Sequence, residues 1–508
     1  MKGKEMSTNS LASKGATTAD RNMVNPDNRT GFWLHSLQNI EALGIGLVLA
    51  ATILPLEAGS ASATLTNADV LALQSALQQG GVVRLAFDGL MTLSNSFTIT
   101  TNTTLDATGY AVTLDGGDRV RHFAVTNGIT LRLINLALVN GRFVGPDTQI
   151  NRPGNPGLGG SIYNSGGILE LIDCRFSSNQ VVGGRGGGTA LQNVDEPTAG
   201  GPGEGAAIYS INGGVTATNC VFASNSCVGG EGAPDAAGGT GRGGDAFGGA
   251  IYGSLSQVTL TGVTLSNNFC KGGPAAGFRW RFGGGAAYGG ALADGNGNTT
   301  VSNCVFSANH ALGGSRYVFE AVSGNGGAIF HESGFLLIDR TLLSSNQANG
   351  GPGVVNGVDP TIAGDGNGGA IFNGGGRLEL RNSALVLNQA NGANATCCLN
   401  ISRGGDGSGG GIYSGATLLL SNCTLAQNLA YGGAALETAF PAPSGSAYGG
   451  GIGVGGASLS LANVTVADNS VQVGPGTKGL VGHAIASSIF ISSATGSLTN
   501  TILACSSS

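Results

Sequence analysis

Alternation of apolar and polar residues is the first signal along this chain. Leu169-Glu170-Leu171, Leu378-Glu379-Leu380 and Phe97-Thr98-Ile99 put an apolar side chain at every second position. That is the period of a strand with one buried face. The alternating segments recur. A GGAI-like tetrapeptide supplies Ile162, Ile208, Ile251, Leu292, Ile329, Ile371, Ile412 and Ile452. An FxxN-like element ends at Asn179, Asn225, Asn268, Asn309, Asn346, Asn388, Asn428 and Asn469. Steps between successive asparagines are 46, 43, 41, 37, 42, 40 and 41 residues. A period near 40 residues with variable spacers belongs to a solenoid, a propeller or an array.

Strand periodicity excludes a helical solenoid, and a propeller blade needs four alternating segments per unit. Here the second part of each period is glycine with scattered proline, which reads as loop. The remainder makes three short strands per turn, stacked on the turn before at roughly 4.8 Å. The expected fold is therefore all-β: a single right-handed parallel β-helix, or solenoid, with glycine-rich loops on one side. Within residues 67–79, Val70, Leu71, Leu73, Ala76 and Leu77 have helical spacing that Gly80 and Gly81 stop, which predicts a helix capping the first coil. The predicted organisation is a polar segment plus signal peptide over 1–63, the N-terminal cap and first irregular coils over 64–150, and repeats of about 41 residues over 151–508.

Stacked coils turn each register into a ladder. Cys174, Cys220, Cys304 and Cys423 share one inward register with Val263, Thr341, Ser383 and Val464, while Cys227 and Cys270 share a second with Ala311, Ala348 and Ala390. The FxxN asparagines, and Asn219, Asn303, Asn382, Asn422 and Asn463 ahead of the cysteine register, read as structural ladders at bends, where amides satisfy backbone groups. Cys174 with Cys220 and Cys227 with Cys270 come near enough for disulfides. Packed free thiols fit the same ladders.

These paired GGAI and FxxN tetrapeptides resemble the repeats of chlamydial polymorphic outer membrane proteins. The N-terminal portion, with its helix and its TITT and TLDG segments, is similar to bacterial right-handed parallel β-helix proteins. The resemblance covers about residues 64–504. It implies a surface-exposed or secreted passenger, often adhesive and sometimes delivered by a C-terminal β-barrel. After TNTILA this sequence ends in CSSS without alternating barrel strands, so autotransport is not expected.

Composition narrows the function classes. Charged residues are 10% of the 508 and glycine contributes 93 of them, against about 25% charged in typical domains. A net charge of −6 with no basic run in the body of the chain excludes a nucleic-acid footprint. Lys2, Lys4, Lys14, Arg21 and Arg29, then the apolar run Leu43 to Leu56, then Ala61-Ser62-Ala63, follow the order of a secretory signal. The run is shorter than the roughly 20 residues that span a bilayer, and no second one follows. The expectation is export to the extracellular space or the cell surface, associated with an outer membrane, with no membrane span in the mature chain.

Candidate chemistry is sparse, and no catalytic set is assigned. Glu170, Asp173, Asp294, Glu332, Asp339, Glu379 and Asp468 occupy no common register, and His310, His331 and His483 fall in different coils as exposed or loop residues. Asp245, Asp365 and Asp406 each lie six residues before the next GGAI-like isoleucine. Calcium, which favours carboxylate oxygens, is the one cofactor candidate there, and aspartate also suits a turn. Tyr163, Tyr209, Tyr252, Phe330, Phe372 and Tyr413 follow the inward isoleucines, so they form an outward ladder, either covered by loops or open as a contact face. The loops all leave after FxxN on one side, the usual binding face of a repeat protein. Within them Phe278, Arg279, Trp280, Arg281 and Phe282 are the densest aromatic and cationic cluster and the ligand-binding candidate. The expected function is an exported binding or adhesion protein for carbohydrate or protein on a host or envelope surface. A polysaccharide lyase or glycoside hydrolase on the same fold is the alternative, and an envelope spacer the second.

Overall fold

The computed structural model describes residues 63–149, 152–188, 199–234, 241–276, 283–315, 322–352, 362–396, 403–436, 441–456 and 458–504. The chain divides into Met1–Glu57 and Ala58–Ser508, and the predicted signal segment lies outside the described residues.

One repeat displays the whole design. Its strands are Ile162–Ser165, Ile168–Ile172, Arg175–Ser177, Gln180–Val182 and Gly203–Glu204. Each pairs in parallel with its counterparts one coil away, giving a β-solenoid of five stacked sheets. We call them C, A, B, D and E in that order; they hold 11, 13, 12, 9 and 9 strands. The 13 strands of sheet A span on the order of 60 Å at strand spacing. Five strands per full coil replace the three expected from the sequence. Sheet E lies in the stretch that reads as loop, and sheet D carries the second inward register, that of Cys227 and Cys270.

Two cores run the length of the repeats. Sheets A, B and C enclose the larger one, where the GGAI-like isoleucines, Leu169, Leu171 and their counterparts are buried, and Phe176 stacks on Phe222 with ring centroids 4.9 Å apart. Sheets D and E enclose a narrow second core, in which Val181, Cys227, Cys270 and Ala311 lie with Ala206, Ala246 and Ala287. Cys174, Cys220, Cys227, Cys270, Cys304 and Cys423 are buried free thiols in the predicted registers.

The fully buried FxxN asparagines form a continuous ladder at the corner between sheets B and D. Asn268 Nδ2 donates to Asn309 Oδ1 at 3.0 Å and to Phe222 O at 3.0 Å, and the Asn268 backbone N–H donates to the same Asn309 Oδ1 at 3.0 Å. Every rung from Asn179 to Asn469 repeats this arrangement with its neighbour. Asn219, Asn303, Asn382, Asn422 and Asn463 stand at the A-to-B corner with φ between 50° and 56°. Asparagine tolerates that left-handed conformation better than most residues. Its exposed amides stack too, Asn422 Nδ2 donating to Asn382 Oδ1 at 3.2 Å.

The double glycine of GGAI has a steric cause. Gly205 has φ +61°, and a Cβ there would stand 2.1 Å from Ile208 O; a Cβ on Gly290 would stand 2.0 Å from Gly327 O. The corner that joins sheet E to sheet C therefore favours glycine, although Ala206 takes its second position in one repeat and Ala486 and Ser487 occupy it in the last coil.

Glycines also close the neck of each insertion. Gly201 N–H donates to Gly184 O, Gly230 to Gly201, Gly244 to Gly230, Gly273 to Gly244 and Gly285 to Gly273, each at 2.8 Å. Gly184, Gly230 and Gly273 belong to outgoing legs, and Gly201, Gly244 and Gly285 to returning ones. The two legs of these three insertions are thereby stitched to each other and to the next coil through peptide groups.

The N-terminal helix spans Val70–Gln79, and the Asp69 side chain accepts from the N–H groups of Leu71 and Ala72. Leu73, Ala76 and Leu77 are buried against the first coil, whereas Leu71 is 76% exposed. The apolar face is thus narrower than the spacing implies. Among the described residues, no helix is long and apolar enough to cross a membrane.

Candidate functional site

Sheet C alternates an inward isoleucine with an outward ring, so Tyr163, Tyr209 and Tyr252 come into register one coil apart. Sheet E contributes its own outward register: Leu158, Glu204, Phe247, Tyr288, Asn325, Asn367, Ser408 and Tyr448. Outward side chains on two successive strands diverge at a convex corner. Here they touch: Phe247 and Tyr252, on the same coil, have ring centroids 5.5 Å apart. The corner is therefore re-entrant, and the outward side chains of sheets E and C meet in one strip along the solenoid, called the groove below.

Aromatic rings line this groove almost without a break. Tyr163 stacks on Tyr209 at 5.5 Å and 3°, Tyr209 meets Tyr252 at 5.7 Å, and Phe247 stacks on Tyr288 at 4.7 Å. Tyr288 meets Phe330 at 4.7 Å, and Phe330, Phe372 and Tyr413 continue the stack at 5.6 Å and 5.3 Å. Small residues make room for them: a Cβ on Gly295 would stand 3.1 Å from the Tyr252 hydroxyl and 3.3 Å from Glu332 Oε2. Because the rings stack mainly on one another, the groove offers ring edges and phenol hydroxyls more than open faces. At its head the Arg121 guanidinium lies 4.2 Å from the Phe143 ring centroid and 5.2 Å from that of Tyr163, and its Nε donates to Gly159 O at 2.8 Å.

Two carboxyl groups enter the strip. Burial pushes Glu204 up to about 7, and among the described residues no hydrogen bond or cation meets its carboxyl. Burial first, then the negative charges of Glu204 and Glu332, hold the Tyr252 phenol above its usual range. Burial and Glu204 act likewise on Tyr209. Sequence reasoning passed over Glu204 because it stands in the glycine leg GPGEGAAI, outside any alternating segment. Its signal was register: it occupies the fourth position before Ile208, where other repeats carry Phe247 and Tyr288.

The residues singled out in the sequence fall in several places. Asp365 and Asp406 occupy consecutive coils, and Asp406 N–H donates to Asp365 Oδ1 at 2.7 Å. Asp406 in turn accepts from Ser446 N–H and pairs with Arg403. Asp245 stands three coils from Asp365, accepting from Ala286 N–H at 2.7 Å and from Arg242 at 2.9 Å. The three carboxylates do not converge. Each one pins the backbone of the following coil, and burial raises Asp365 to about 6. Among the described residues no group of three or more His, Cys, Asp or Glu side chains is placed to hold a metal ion. The Phe278, Arg279, Trp280, Arg281 and Phe282 cluster, Cys397, Cys398 and Cys505 lie outside the described residues.

Two expectations are corrected. His331 is fully buried rather than exposed, and Asp294, assigned to no shared register, stacks directly on it with Oδ2 3.0 Å from Nδ1. Other carboxylates on sheet A are taken up locally, Glu379 by Arg377 and Arg381, and Glu170 by Arg132 at 3.6 Å.

No protein-family model matches the sequence, and no curated protein matches it. Among solved structures the chain is similar to the Dettilon tailspike protein, at 12% identity and a TM-score of 0.24. The match covers 84% of this chain and 66% of the tailspike, so the chain spans a little under two thirds of that protein's length. What the residues themselves establish is a parallel β-solenoid with asparagine ladders.

Proposed function

We propose that this chain is an exported, surface-displayed binding module that holds an extended polymer, a polysaccharide, along the groove between sheets E and C. One observation carries the reading: ring edges, phenol hydroxyls and the Glu204 and Glu332 carboxyls follow one another along a single axial groove, from Tyr163 to Tyr413. Coil spacing of about 4.8 Å sets one row of polar and aromatic edges per step, a periodic surface suited to a periodic ligand. The returning leg of each insertion runs straight into the sheet E strand that lines the groove, as Gly201 to Glu204 does. The row of returning legs therefore runs along one bank. The sugar hydroxyls would exchange hydrogen bonds with phenols and carboxylates, as oriented polar groups do in carbohydrate sites.

Hydrolysis of the bound polymer is the second reading, and Glu204, held near neutrality, is the observation in its favour. Three coils separate Glu204 from Glu332, roughly 14 Å. An inverting pair stands about 6.5–9.5 Å apart, so this pair does not supply that chemistry. The test is retention of the chain on a polysaccharide array beside the double variant Glu204→Gln/Tyr252→Phe. Retention by the parent that drops at least tenfold in the variant supports the groove. Equal retention moves binding elsewhere, and release of new reducing ends replaces binding with catalysis.

A further inference from the structure

A polar column runs inside the apolar core. The inward third position of the sheet C strands carries Asn164, Ser210, Gly253, Asp294, His331, Asn373 and Ser414 in successive coils. The side chains among them are fully buried. Hydrogen bonds divide the column into three pieces. In the first, Asn164 Nδ2 donates to Ser210 Oγ at 3.0 Å, and Ser210 Oγ meets Ser256 Oγ at 3.2 Å, Ser256 standing in where Gly253 has no side chain. The second is the Asp294–His331 pair at 3.0 Å. In the third, Asn373 Nδ2 donates to Ser414 Oγ at 2.9 Å, and Ser414 Oγ donates to Ala416 O at 2.9 Å.

The atoms left over lie at the joints. Among the described residues, the buried side-chain atoms without a partner include Asp294 Oδ1, Thr299 Oγ1, His331 Nε2 and Asn373 Oδ1. His331 and Asn373 are register partners in adjacent strands, yet their free atoms do not bond to each other. The donors and acceptors explain this. Asn373 cannot turn its amide around, because Nδ2 also reaches Thr417 O at 3.4 Å and Ser414 has spent its hydrogen on a carbonyl. Its Oδ1 is therefore left as a buried acceptor one coil from His331. When the imidazole hydrogen sits on Nδ1, pointed at the Asp294 carboxylate, Nε2 is an acceptor as well. Two acceptors cannot bond to each other, and a molecule with two hydrogens satisfies both.

We propose that one buried water lies between His331 Nε2 and Asn373 Oδ1, donating a hydrogen to each and holding His331 as its Nδ1–H tautomer. Both residues are fully buried in the core, and buried polar groups without a protein partner are where water is retained as part of a fold. It links the coils of Asp294 and His331 to those of Asn373 and Ser414, so the column becomes continuous below Asp294.

The test is a crystal structure of the full chain at a resolution that orders solvent, paired with nitrogen NMR of the histidine rings. His331 is assigned by the signal lost in His331→Gln. The expected result is one water within about 2.7–3.2 Å of both atoms, with Nδ1 protonated and Nε2 bare. A direct Nε2-to-Oδ1 contact, an enclosed gap without solvent density, or protons on both ring nitrogens overturns the proposal. If His331→Gln does not fold, the crystal structure decides alone.

Discussion

Replacing Asn309 with alanine tests the asparagine ladder where it is continuous on both sides. Asn309 Oδ1 accepts from Asn268 N–H and from Asn268 Nδ2, each at 3.0 Å; its Nδ2 donates to Leu265 O at 2.9 Å and to Asn346 Oδ1 at 3.0 Å. Truncation removes all four bonds. The Asn268 N–H loses its acceptor in a fully buried corner, at a cost of about 1–3 kcal/mol. The other three bonds go from partners that retain part of their bonding or packing, at about 1 kcal/mol each. The sum is roughly 4–6 kcal/mol, a large share of a domain's stability of about 5–15 kcal/mol. Urea unfolding of Asn309→Ala, followed by circular dichroism, measures the loss. Hydrogen exchange of the peptide containing Asn268 reports whether it begins at that corner. A loss below about 1 kcal/mol with an unchanged urea slope would refute the reasoning, because it would mean the rungs stack without sharing load.

Two further substitutions test other parts of the account. Glu204 has its folded value raised from 4.5 to about 7 by burial, so the folded state holds the proton more tightly than the unfolded one. Stability is accordingly full below about 4.5 and falls as pH rises through 7, by at most about 3 kcal/mol. Glu204→Gln should leave the melting temperature unchanged at pH 4 and raise it at pH 8; an equal shift at both would deny the buried carboxyl. Arg340 stands at the A-to-B corner with φ +46°, where most repeats carry asparagine or glycine. Arg340→Asn should stabilise the chain by about 1 kcal/mol by relieving the left-handed backbone, losing only the exposed 3.0 Å pair with Asp339; a lower melting temperature contradicts this.

The larger core was legible in the sequence because its ladders repeat: one inward isoleucine and one FxxN asparagine per period fix the coil and its register. Sheet D was legible only as an inward register, Cys227 with Cys270 and Ala311, and sheet E was not legible. Gly203–Glu204 and Ala246–Phe247 are strands of two residues, too short to alternate, and their inward positions are glycine or alanine. They exist because neighbouring coils hold them, a tertiary cause that no local pattern carries. The Asp294–His331 contact was hidden for a related reason. It occurs once, across 37 residues, in a register whose other members are asparagine, serine and glycine. The groove was half legible, since the rings after GGAI announced an outward ladder. The re-entrant corner that brings Phe247 and Glu204 beside that ladder follows from the left-handed backbone at Gly248 and Gly205.

The glycine necks make this solenoid indifferent to what its insertions contain. The stitch from Gly184 through Gly201, Gly230 and Gly244 uses peptide groups alone, so it reads no side chain beyond the neck. An insertion can lengthen, shorten or change composition while the coil beneath keeps its register. Each inserted segment can therefore vary separately without removing a neck bond from the coil below it.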